Sequence, residues 1–106
     1  MSLSFTLEEN GLYVEISGDI DHHSAKVIRE EIDRATEKYL PDTLYLDLSQ
    51  VTFMDSSGIG LVLGRYKNMA KRKGEVAVVV PSGKIKQILI MAATDKFVKF
   101  YDTKPV

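Results

Sequence analysis

With 106 residues the chain has material for one hydrophobic core. Its 14 lysines and arginines against 15 aspartates and glutamates leave a net charge of −1, without the basic excess that binding to nucleic acid or anionic membrane draws on. There are no cysteines, which excludes disulfides, thiol chemistry and cysteine-ligated zinc. No apolar run approaches the roughly 20 residues of a membrane-spanning helix, and "MSLSFTLEEN" lacks the basic start and apolar middle of a secretion signal. A cytoplasmic protein is expected, with neither nucleic acid nor membrane as a partner.

The chain opens with two alternating stretches. Leu3, Phe5 and Leu7 interleave with polar residues, as do Leu12, Val14 and Ile16. Asn10-Gly11 between them suits a type I′ turn, which needs positive φ at both central residues. That turn would set Leu7 opposite Val14 and Phe5 opposite Ile16, with every apolar side chain on one face. In "GDIDHHSAKVIREEIDRATEKYL", Ala25, Ile28, Ile32, Ala35 and Tyr39 fall on one helical stripe, Asp21 and Ser24 are candidate caps, and Pro41-Asp42 ends the helix. "TLYLDL" is a strand with Leu44, Leu46 and Leu48 inward, followed by a polar loop.

A second helix follows with Ile59, Val62, Leu63, Tyr66, Met69 and Ala70 as its stripe. Lys71, Arg72 and Lys73 suit the negative end of its dipole, and Gly74 stops it. "EVAVVV" has the near-continuous apolar character of a central strand. "PSGKIKQILIMAA" is a third helix with Ile85, Ile88, Leu89 and Ala92 inward, and "KFVKFYD" is a last strand. The order β-β-α-β-α-β-α-β predicts one α/β domain over residues 1–106. Its sheet is mostly parallel, its first strand antiparallel, and its helices lie mainly on one face.

Several catalytic patterns come close and fail. Gly58, Gly60 and Gly64 resemble a dinucleotide fingerprint, but they follow a polar loop, the last spacing is one residue too long, and the chain lacks a second nucleotide-binding half. "VPSGKI" lacks the leading glycine and the Ser or Thr of a phosphate-binding loop. Neither Ser56 nor Ser57 has the flanking glycines of a hydrolase elbow. Asp19, Asp21, His22 and His23 read more simply as a capping aspartate beside exposed loop imidazoles than as a metal site. The chain is expected to have no catalytic residue, no cofactor and no metal.

What remains is "MDSSGIGLVLG". Asp55 or Ser56 is placed to cap the second helix, a contribution of about 1 kcal/mol. A cap explains one polar residue, not Asp-Ser-Ser-Gly in a row. It also leaves unexplained Gly60 and Gly64 inside a helix, each costing about 1 kcal/mol against alanine. These glycines lie off the apolar stripe and leave a bare outer track, with Leu61 near it. The track favours docking of another macromolecule, or tight packing within the domain itself. A phosphoryl group on the exposed serine would suit the free N–H groups of the helix start and would repel a docked partner.

"LDLSQVTFMDSSGIGLVLGRYK", together with "SGDIDHHSA" upstream, resembles the signature of STAS-domain anti-sigma factor antagonists, and within them the sporulation members. The resemblance runs from the hairpin to the last strand. It implies a regulator rather than an enzyme: the substrate of a serine kinase that is also an anti-sigma factor, with Ser56 as phosphoacceptor. The unphosphorylated form binds the anti-sigma factor and frees a sigma factor for transcription; a metal-dependent phosphatase resets the phosphorylated form. Asp55, Ser57 and Gly58 match the motif around the acceptor, and Asp21 and the neighbouring His22 match a nearby region. With Gly60, Leu61 and Gly64 these form the expected partner-binding set. The competing expectation is a scaffold subunit of a larger stress-signalling assembly.

Overall fold

The computed structural model describes residues 1–105. Strands β1 (Ser2–Leu7), β2 (Gly11–Ile20), β3 (Thr43–Met54), β4 (Glu75–Val79) and β5 (Lys99–Tyr101) form one sheet in that spatial order, antiparallel between β1 and β2 and parallel elsewhere. Helices α1 (His22–Tyr39), α2 (Ser56–Ala70) and α3 (Lys84–Met91) connect the parallel strands, with a 3₁₀ turn at Thr94–Lys96 before β5. The predicted element order and the antiparallel first strand are thus observed.

Alternation sets the layers. Leu12, Val14 and Ile16 of β2, Leu44, Leu46 and Leu48 of β3, and Val76 and Val78 of β4 share one core with Ile28 and Ile32 of α1, Val62 and Met69 of α2 and Leu89 of α3. All three helices therefore cover the same sheet face. On the opposite face Tyr13 is buried, its hydroxyl donating to Asp47 Oδ2 at 2.6 Å; burial and that carboxylate raise the phenol's pKa. Lys104 crosses this face, its Nζ 4.4 Å from the Tyr13 ring centroid and 2.5 Å from Glu8 Oε1. Among the described residues no helix is long and apolar enough to cross a membrane.

Three local readings change. The hairpin register is Leu7 with Leu12 and Phe5 with Val14, so the two-residue connection is Glu9-Asn10, closed by Glu8 N–H donating to Gly11 O at 2.8 Å. No positive φ occurs in that turn. Gly11 serves another need: a Cβ there would lie 2.8 Å from the Tyr45 ring and 3.3 Å from Thr43 O of β3. Second, in the turn that follows α2 it is Lys73, not Gly74, that takes the left-handed region, at φ 60°. Gly74 is instead packed against Met69, whose Cε would lie 2.7 Å from an added Cβ.

Third, β3 has no polar loop after it. The strand continues to Met54, and only Asp55 separates it from α2. One objection to a dinucleotide fingerprint falls with the loop; the wrong glycine spacing and the missing second half still stand.

Candidate functional site

Parallel pairing brings the ends of β2 and β3 level, with Ile20 opposite Met54. The next residue of each strand is an aspartate that caps a helix, so α1 and α2 start side by side at one edge of the sheet. Asp55 N–H donates to Ile20 O at 3.2 Å, tying the two starts together.

At α1 the cap is a reciprocal box. Asp21 Oδ1 accepts from Ser24 N–H, and Ser24 Oγ accepts from Asp21 N–H, both at 2.9 Å. The Ser24 N–H bond holds the Asp21 carboxyl below the usual aspartate range, with a smaller contribution from His23. His22 and His23 are the first two residues of the helix rather than loop residues, and both are exposed. Among the described residues no three His, Cys, Asp or Glu side chains come together to hold a metal.

At α2 Asp55 is the cap, its Oδ1 accepting from Ser57 N–H at 2.8 Å. Ser56 is the first helical residue and is exposed; Ser57 is half-buried. Gly58 is buried and belongs to the packing of the domain: an added Cβ would lie 2.1 Å from Met54 Cγ and 2.4 Å from its Sδ. Gly60 and Gly64 are the reverse case, since an added Cβ at either meets nothing within 4 Å. The bare track is therefore open surface, and packing within the domain does not account for these two glycines.

Leu61 is not beside that track on the outer face. It is 4 % exposed and part of the core. The fully buried residues of α2 are Gly58, Leu61, Val62, Arg65 and Met69; Val62 and Met69 belong to the predicted stripe, whose Ile59 and Tyr66 pack against the core, while Ala70 is exposed. On α1, Tyr39 at the end of the predicted stripe is likewise exposed, while Thr36 is buried. The i, i+3, i+4, i+7, i+11 spacing of the α2 set was visible in the sequence, but it runs through a glycine and an arginine that an apolar count passes over.

Arg65 is the residue the sequence reading missed. It is only 6 % exposed, and its Nε lies 2.9 Å from Asp33 Oδ1 of α1. Asp33 also accepts from Asn68 Nδ2 at 3.2 Å, so one carboxylate ties the two helices. Between the N-terminal halves of the two helices lies a groove of about 450 Å³, lined by residues of the expected set, His22, Ser57, Gly60 and Leu61, together with Ala25, Lys26 and Arg29. The structure thus brings the two caps, both serines, His22 and Gly60 to one edge; Gly64 lies one turn further along α2.

The STAS domain family matches residues 4–105. The anti-sigma F factor antagonist of Paenibacillus polymyxa is 34% identical over 106 residues, covering 98% of this chain and 91% of its own. The solved structure of the anti-sigma factor antagonist SpoIIAA in its unphosphorylated form superposes with a TM-score of 0.77 at 24% identity, over 97% of this chain and 90% of that one. The phosphorylated form of SpoIIAA, from Bacillus, gives a TM-score of 0.73 at 24% identity, over 94% and 91%.

Proposed function

The chain belongs to the STAS-domain family, among its anti-sigma factor antagonists, and on that premise we propose a binding module switched by phosphorylation of Ser56. Unphosphorylated, it binds an anti-sigma factor that is also its serine kinase and so frees a sigma factor for transcription, with sporulation as the process served. Phosphorylated, it releases that partner until a metal-dependent phosphatase restores it. Asp21, His22, Asp55, Ser57, Gly58, Gly60, Leu61 and Gly64 surround or shape the binding edge. For Gly58 and Leu61 the contribution is indirect, since both are buried and set the pose of α2.

The observation that carries this reading is the exposed Ser56 hydroxyl in the first turn of α2, at the head of a glycine track with nothing packed on it. A phosphoryl group there carries about −1.5 to −2 charges and meets the positive end of the helix dipole, so the folded domain tolerates it. The two forms of SpoIIAA, both similar in fold to this chain, agree with that tolerance. A docked partner does not tolerate the charge, and each 1.4 kcal/mol of repulsion weakens binding about tenfold.

The test is intact mass of the protein after incubation with ATP and its anti-sigma factor kinase, with fragmentation to locate the phosphate. One phosphate on Ser56, lost in Ser56→Ala, is the expected result. Because Asp55 and not Ser56 provides the cap, Ser56→Ala keeps the helix start intact and should bind the kinase tightly. Ser56→Asp should bind weakly; equal affinity of the two variants would sink the switch. A stable high-order oligomer of the isolated protein would point to the scaffold role instead.

A further inference from the structure

We infer that the groove between α1 and α2 is a cationic slot for a carboxylate-bearing segment of the anti-sigma factor, with Lys26 and Arg29 as its charged wall. This rests on the binding role proposed above and adds the chemistry of the partner surface.

Two observations converge on an acidic occupant. The first is charge. His22, Lys26 and Arg29 line the groove from α1, Ser57, Gly60 and Leu61 from α2, and no carboxylate is among the lining residues. This concentration of positive charge stands out on a chain whose net charge is −1.

The second observation is access. Gly60 faces open space and is itself part of the groove wall, so a partner backbone can come close enough for short acidic side chains to reach Lys26 and Arg29. Ser56 immediately precedes Ser57 of the groove wall. A phosphate on it would repel the acidic segment and offer the slot's cations a competing anion, so one modification would weaken the contact in two ways.

The experiment measures affinity for the anti-sigma factor kinase proposed above at low and high salt. It compares wild type, Lys26→Glu/Arg29→Glu, and the charge-matched control Lys96→Glu/Lys99→Glu near the far edge of the sheet. Lys26 and Arg29 are exposed, so circular dichroism and the melting temperature should match wild type. The expected result is a loss of about a hundredfold for the groove variant, with a flattened salt dependence and little change in the control. A groove variant that binds like wild type overturns the slot while leaving the switch intact, and so does a control that loses as much. A wild-type protein that does not bind the kinase at all overturns the switch, and the slot with it.

Discussion

The two helix starts use the same opening residue for different ends. Asp21 and Asp55 each follow the level ends of neighbouring strands, and each accepts from its helix's first turn. At α1 the third helical residue is Ser24, which returns a bond to the Asp21 N–H and closes the box. At α2 the corresponding residue is Gly58, which has no side chain to return. The Asp55 N–H turns to Ile20 O instead, and the missing side chain lets α2 lie against Met54. The first start is satisfied within its own helix. The second trades local closure for tertiary contact and leaves Ser56 presented to solvent.

The sharpest way to break this contrast is Gly58→Ala. The new methyl group would collide with Met54 Cγ and Sδ and should cost about 2 kcal/mol in a urea titration. Combining it with Met54→Ala should cost less than the two single changes summed, because truncation removes the atoms the methyl meets. Asp55→Ala comes next, at about 1 kcal/mol for the lost cap, read from the same titration.

Gly60→Ala should act in the opposite direction. With nothing within 4 Å of the new methyl, the folded domain should gain about 0.8 kcal/mol while affinity for the kinase falls. A stabilised variant that binds normally would show that the bare track is not a contact surface. The smallest effect expected is the pH dependence of Asp21. Its folded pKa is depressed, so its contribution is complete above the unfolded aspartate pKa and fades as pH falls through the folded value. The stability advantage of wild type over Asp21→Asn should therefore be present at neutral pH and disappear in strong acid. An advantage that persists there would place the contribution in the hydrogen bonds rather than the charge.

The sequence was most legible where one physical demand acts on each residue. The α1 cap, the apolar run of β4 and the strand–helix alternation were all readable because pattern and environment agree. Gly11 misled because glycine answers to two demands, a turn's dihedrals and the close approach of another strand, and here the ring of Tyr45 decides. The second half of β3 was hidden because its ladder with β2 slips at two places. Its inward residues Leu48, Val51 and Met54 consequently fall three apart instead of two. The full width of the buried face of α2 was missed because it adds a glycine, an arginine and Leu61 to the predicted Val62 and Met69. The partner of that arginine, Asp33, sits on a different helix, and no local pattern announces it.

The position of Ser56 also bears on what the proposed kinase would read. Its sequence neighbours are occupied with one another, the Asp55 carboxylate with the Ser57 amide, while the side chains facing Ser57 across the groove, His22 and Lys26, arrive from α1. The surface around the serine is a conformational epitope, assembled only when β2 and β3 are paired. A short peptide spelling Met54 to Gly60 carries the letters without the epitope. Modification at this serine would then double as an inspection of folding: a core substitution far from the loop would alter signalling by changing how much of the population passes.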